Sequence, residues 1–230
     1  MKYLMDDVNK WLEIYEKLDR VSPEVFDCGM LCGSACCTGR NAGCISKSQF
    51  KKIDWEDKDY KPEIKIPVYR GDAAFSKSSS DSVKGTGKKE TMLAPKTAEG
   101  KDLGIYLLPG EHLLLDLMED KSWISIELQD PKECRLPASW EYPVYFINCK
   151  NPPKCPRKWR PLQCRTFPLK PAFDENGVLE MIWENEELPY SCPLIEYNAP
   201  IHDDFYQVTY EVWSELVQDP RIFDLVMMES

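Results

Sequence analysis

Residues 26–37 read Phe26-Asp27-Cys28-Gly29-Met30-Leu31-Cys32-Gly33-Ser34-Ala35-Cys36-Cys37. Four thiols, Cys28, Cys32, Cys36 and Cys37, are separated mostly by small residues. Glycine tolerates positive φ, and small side chains leave the approach open, so such a backbone can curl until several sulfurs face one centre. A second group lies far along the chain: Cys149, Cys155, Cys164 and Cys192. The chain reads as a scaffold that brings the two groups together around metal. Thiolate is the metal-binding form, and sets of four thiolates suit zinc or iron–sulfur clusters alike. Eight thiols exceed the four of one tetrahedral site, so they hold either two centres or one centre plus a redox-active or structural pair. Adjacent Cys36 and Cys37 point in different directions in most backbone conformations. Either they serve different centres or only one of them ligates.

Composition narrows the setting. At 230 residues with seven Trp, the chain can bury a real core without cysteine staples. The formal charge of −10 argues against a general nucleic-acid binder, whose affinity comes largely from Lys and Arg on phosphates. Met1-Lys2-Tyr3-Leu4-Met5-Asp6-Asp7 has no apolar signal core, and no run approaches membrane-spanning length. A cytosolic chain without membrane contact is expected. Ten cysteines in a reducing compartment point to metal or redox chemistry rather than a disulfide framework.

Periodicity places the elements. Val8, Trp11, Leu12, Tyr15 and Leu18 predict an amphipathic helix over 5–19, ended by Ser22-Pro23-Glu24. From Thr38 to about Lys101 the chain is charged and then Ser/Gly-rich, which predicts a long, partly flexible surface insertion over 38–101. Its Gly85-Thr86-Gly87-Lys88 is not a phosphate loop, because position 82 is Ser where the motif needs Gly. Short strands are expected at 104–108, 123–128, 144–147 and 178–183, with a helix over 113–118 after Pro109-Gly110-Glu111-His112. Residues 150–171 read as Pro-rich irregular chain with one helical turn after Pro161. Asp174-Glu175-Asn176-Gly177 is a turn and lacks the spacing of a calcium loop. Asp203 is expected to cap a long helix with Phe205, Val208, Val212, Trp213 and Leu216 on its buried stripe, followed by a short helix at 222–227. The expected fold is one α+β domain over 1–230: a small irregular Cys-rich, metal-centred unit with flanking amphipathic helices and a few short strands.

Cys155 and Cys192 are each followed by Pro, which ends an element beside a ligand. Cys164 lies in Arg160-Pro161-Leu162-Gln163-Cys164-Arg165-Thr166-Phe167-Pro168. Cys28-x3-Cys32-x3-Cys36-Cys37 followed by this segment resembles the YkgJ-type cysteine-cluster proteins, described as zinc- or iron-chelating domains. Gly104-Ile105-Tyr106-Leu107-Leu108-Pro109-Gly110-Glu111 resembles a bacterial branch of the same family. The resemblance covers residues 24–37 and 103–217. It implies ligands among Cys28, Cys32, Cys36, Cys37, Cys149, Cys155, Cys164 and Cys192. The insertion departs from the family's short connection, and Cys44 and Cys134 have no place in the pattern. Some members resemble flagellin lysine N-methylases, which implies an iron–sulfur centre in at least one branch.

Three function classes follow. The first is a zinc or iron–sulfur protein whose centre is structural or redox-active. The second is an iron–sulfur enzyme, methyl-transferring or oxidoreductase. The third is an interaction module that docks a protein partner through 38–101. Radical-SAM spacing, Cys-x3-Cys-x2-Cys, is not met, since after Cys28-x3-Cys32 the third cysteine comes one residue too late, as Cys32-x3-Cys36. Among other candidates, His112 reads as a polar residue on a helix's first turn rather than a fourth ligand. Glu111 reads as a helix N-terminal carboxylate rather than a general base. The acid-free run Lys150, Lys154, Arg157, Lys158, Arg160, Arg165 and Lys170 reads as compensation for thiolate charge before it reads as an anion site.

Overall fold

The computed structural model describes residues 2–39, 45–59, 104–134, 136–141, 143–150 and 155–230. Helices and sheets are both present, so the chain is of mixed α+β class. No described helix is long and apolar enough to cross a membrane. Cys44, Lys154 and residues 60–103 of the expected insertion lie outside the described residues.

The main core is helical. α1 (Val8–Asp19) starts at Asp7, whose side chain accepts from Asn9 N–H, so the helix begins three residues later than the periodicity suggests. It buries Trp11, Ile14, Tyr15 and Leu18. These pack with α6 (Asp203–Leu216) and α7 (Pro220–Glu229), whose Phe205, Trp213, Leu216, Ile222 and Leu225 are all buried. Glu215 of α6 pairs with Lys10 and Lys17 of α1. The N-cap of α6 is His202, with no side-chain bond, and Asp203 instead sits in the first turn, where the helix dipole favours a carboxylate. Thr209, not Val208, completes the buried stripe. α7 is capped by Asp219, which accepts from Arg221 N–H, and runs longer than expected at both ends.

Two small antiparallel sheets flank this core. β1 (Gly104–Tyr106), β2 (Ile124–Gln129) and β3 (Val144–Cys149) are ordered β1-β3-β2, with Ile147 opposite both Ile105 and Ile126. β4 (Leu169–Phe173) pairs with β5 (Leu179–Trp183) across the Asp174–Gly177 turn. Residues 169–171 are therefore strand, not irregular chain. The expected helix at 113–118 is a 3-10 helix, Glu111–Leu117. It follows Gly110 at φ +88°, where a Cβ would lie 1.8 Å from the Met5 carbonyl oxygen, so only glycine lets this turn touch the N-terminal segment.

The first part of the expected insertion is core. Around α3 (Lys47–Phe50), Ile45, Phe50 and Ile53 are buried against Phe26, Leu31, Leu194 and Ala199. Ser46 and Gln49 form a capping box on α3. This small core fastens the first cysteine group to α5 (Pro193–Glu196), whose N-cap is Cys192.

Candidate functional site

The first cysteine group is shaped by two local devices. Asp27 accepts from Gly29 N–H at 2.9 Å and opens a 3-10 turn over Cys28–Leu31. Gly33 and Ser34 then both adopt left-handed φ, +63° and +58°, which reverses the chain into α2 (Ala35–Thr38). The reversal aims the N–H groups of Ser34 and Ala35 at the Cys32 sulfur. The Cys36 and Cys37 sulfurs stand 4.0 Å apart at its far side.

The second group hangs on a loop clamped from inside. Cys149 ends β3 and Cys164 lies in α4 (Leu162–Thr166). The buried Arg165 guanidinium donates to the carbonyls of Arg157 (2.6 Å), Lys158 (2.8 Å) and Arg160 (2.6 Å). It also reaches Asp19 at 2.6 Å and lies over the Tyr15 ring at 4.2 Å. A five-donor planar fork suits this task. Glu111, 1 % exposed, secures the same region from behind. Its Oε1 accepts from Tyr15 Oη (2.5 Å) and Leu162 N–H (2.7 Å), and its Oε2 from Leu108 N–H (2.9 Å).

One cavity of about 450 Å3 gathers the result. Cys28, Cys36, Cys37, Cys149, Cys155 and Cys164 all line it, drawn from both groups. The thiols form two electrostatic neighbourhoods that overlap at Cys37, which acts on Cys32 and Cys36 in one and on Cys149 and Cys164 in the other. Burial pushes the Cys28 thiol up, and Cys192 and Cys32 add to this. Cys36 is raised by donating to Cys37, by burial, and by the charges of Cys37, Cys28 and Cys32. In the other neighbourhood, burial raises Cys149 to about 11, with Cys155 and Cys37 contributing. Cys164 is raised by burial, then by Cys37, Cys149 and Cys155. Cys37 alone moves down, to about 7, because Cys36 donates to it and Arg160 stands nearby. Burial works against the Arg160 charge, but Cys155, Cys37 and Cys164 outweigh it. As they stand, no three His, Cys, Asp or Glu side chains among the described residues are close enough together to hold a metal ion.

The remaining candidates separate from this cavity. Cys134 donates to Gln129 Oε1 at 3.2 Å beside β2. His112 stacks on Tyr145 at 4.4 Å and lines a different cavity of about 280 Å3 whose lining includes no cysteine. Glu111 has all its bonds within the fold, which makes it a structural hub rather than a general base. The basic run divides. Lys170 pairs with Glu184 (3.4 Å), Arg165 clamps the loop, and Arg160 faces the thiols. Two residues of the cavity wall carried no sequence signal, Glu24 and Gln163, because a lone acid after Ser-Pro and a glutamine beside a cysteine look like any others. Comparison with protein-family models, with curated proteins and with solved structures finds no match to this chain.

Proposed function

We propose that this chain is a thiolate metal protein of YkgJ type, holding zinc or iron–sulfur through its two cysteine groups. The observation that carries the reading is the convergence of six thiols, from positions more than a hundred residues apart, on one cavity. Cysteines serving only as buried apolar residues have no reason to meet at a shared wall. The electrostatic neighbourhoods overlap at Cys37, which acts on Cys32 and Cys36 as well as on Cys149 and Cys164, and the remaining contacts favour two sets: Cys28, Cys32, Cys36 and Cys192 in one, Cys37, Cys149, Cys155 and Cys164 in the other. Cys36 and Cys37 then serve different centres. Metal entry draws each set inward, and the binding free energy becomes folding free energy. Arg160 offsets the negative charge that four thiolates leave on a divalent ion. The cavity beside the thiols favours a second, enzymatic reading over a purely structural centre, because a structural site has no need of room for another molecule.

The test is metal and sulfide analysis on protein purified without air, in wild type and three variants. Cys164→Ser and Cys32→Ser should each remove one centre, about half of the bound metal, while Cys134→Ser keeps all of it. Iron with sulfide selects the cluster, and stoichiometric zinc without sulfide selects zinc. Metal-free protein with an intact fold and every thiol titratable refutes the proposal. So does equal loss in Cys134→Ser.

A further inference from the structure

Among the described residues, eight buried side-chain nitrogen or oxygen atoms have no hydrogen-bond partner. Four of them belong to three residues that line the cysteine cavity: Glu24 Oε1, Arg160 Nε, and both Oε1 and Nε2 of Gln163. Glu24 is 2 % exposed and Gln163 5 %. Buried polar groups without partners are costly and rare, and several on one cavity wall call for an explanation outside the chain. They are of complementary kinds. Arg160 Nε and Gln163 Nε2 are spare donors, while Gln163 Oε1 and Glu24 Oε1 are spare acceptors. The rest of the wall carries the six thiols and the charged residues Asp27, Arg157 and Arg165, together with an apolar part formed by Leu18, Val21, Phe26, Ile105, Ile147 and Phe167. The volume, about 450 Å3, lies in the range of small-ligand sites.

We infer that this cavity binds a free amino acid with an apolar side chain, its carboxylate on Arg160 and the Gln163 amide N–H, its ammonium on Gln163 Oε1 and Glu24. A zwitterion answers both kinds of spare group at once, whereas an anion answers the donors alone and an amine the acceptors alone. The side chain rests on the aliphatic wall. Burial holds the Glu24 carboxyl up at about 8, and an ammonium beside it supplies the partner charge it lacks. The inference shares its cavity with the metal reading but does not rest on it: Arg160 turns toward Cys155 while its Nε stays without a partner.

The probes are L-leucine, 4-methylpentanoate and 3-methylbutylamine, which share one carbon skeleton and differ by the ammonium or the carboxylate. Each is titrated calorimetrically into the full chain purified without air, with metal content measured on the same sample. Leucine should bind about ten-fold or more tighter than either fragment, since each lacks one charged group. Glu24→Gln should erase the preference for leucine over 4-methylpentanoate and keep the preference over 3-methylbutylamine. Metal-loaded protein that binds leucine no better than the fragments, or binds none of the three, overturns the inference and leaves the metal reading intact. Leucine preference in metal-free protein supports the inference while refuting the other. A leucine preference over 4-methylpentanoate that survives Glu24→Gln overturns the assignment of the ammonium.

Discussion

Replacing Glu111 with Ala tests whether the thiol-bearing loop is held from the core. The carboxylate accepts three hydrogen bonds, from Tyr15 Oη, Leu162 N–H and Leu108 N–H, at 2.5, 2.7 and 2.9 Å. Removing it strands three buried donors at about 1–3 kcal/mol each, and we expect a net loss of about 3–6 kcal/mol after partial entry of water. That is a large share of the roughly 5–15 kcal/mol that stabilises a typical domain. At about 2–4 °C per kcal/mol for a chain of this size, melting should fall by roughly 6–24 °C. Glu111→Gln keeps one acceptor oxygen but turns an N–H₂ toward one donor, so about 2 kcal/mol and roughly 4–8 °C are expected. The assay is urea or thermal unfolding followed by tryptophan fluorescence, since Trp11 and Trp213 are fully buried in the helical core. Because Leu162 opens α4, which carries Cys164, the Ala variant should also hold less metal. A Glu111→Ala protein within about 1 kcal/mol of wild type, with metal unchanged, would refute the hub and return Glu111 to the list of possible general bases.

Two further outcomes follow from the electrostatics. Burial raises the Glu24 carboxyl from 4.5 to about 8, so between those pH values the folded chain keeps a proton that the unfolded chain has lost. Stability should therefore fall as pH rises through that window, by up to about 5 kcal/mol, and Glu24→Gln should flatten this part of the profile; an unchanged slope in the variant contradicts the shift. In chelator-treated protein near neutral pH, Cys37, held at about 7, should be alkylated by iodoacetamide before Cys149, held at about 11, as read by peptide mass mapping. Earlier labelling of Cys149 would contradict the Cys36 and Arg160 contacts assigned to Cys37.

The amphipathic helices were legible because burial in α1 and α6 follows helical period directly. β4 was not, for a tertiary reason. Leu169-Lys170-Pro171-Ala172-Phe173 contains a lysine and a proline, both unfavourable in a strand. The lysine is buried only because Glu184 stands 3.4 Å away and Glu186 3.8 Å. The proline is tolerated because β4 belongs to a sheet of two strands, where each strand is an edge. Residues 45–53 hide their burial in the opposite direction. Charged neighbours hid Ile45, Phe50 and Ile53, three apolar side chains that find a core only when Leu194 arrives from the far end of the chain.

The cysteines show the same limit more sharply. Their number, small neighbours and flanking prolines made them legible as metal-ligand candidates, but not their division into sets. That division depends on which way Cys36 and Cys37 point, and two consecutive left-handed residues, Gly33 and Ser34, decide it. Ser34 is a non-glycine residue at φ +58°, a conformation that costs free energy and is kept only when the surroundings hold it. Here the Ser34 N–H reaches the Gly29 carbonyl at 2.9 Å, and its own carbonyl starts α2 by accepting from Cys37 at 2.9 Å. The strained residue therefore folds the run back on itself, so that Cys28 on one side of it neighbours Cys192 of α5 and Cys37 on the other neighbours Cys164, in the loop that Arg165 clamps to α1. Both partners arrive from more than a hundred residues away, so a local pattern could announce the thiol run but not which distant thiols meet it.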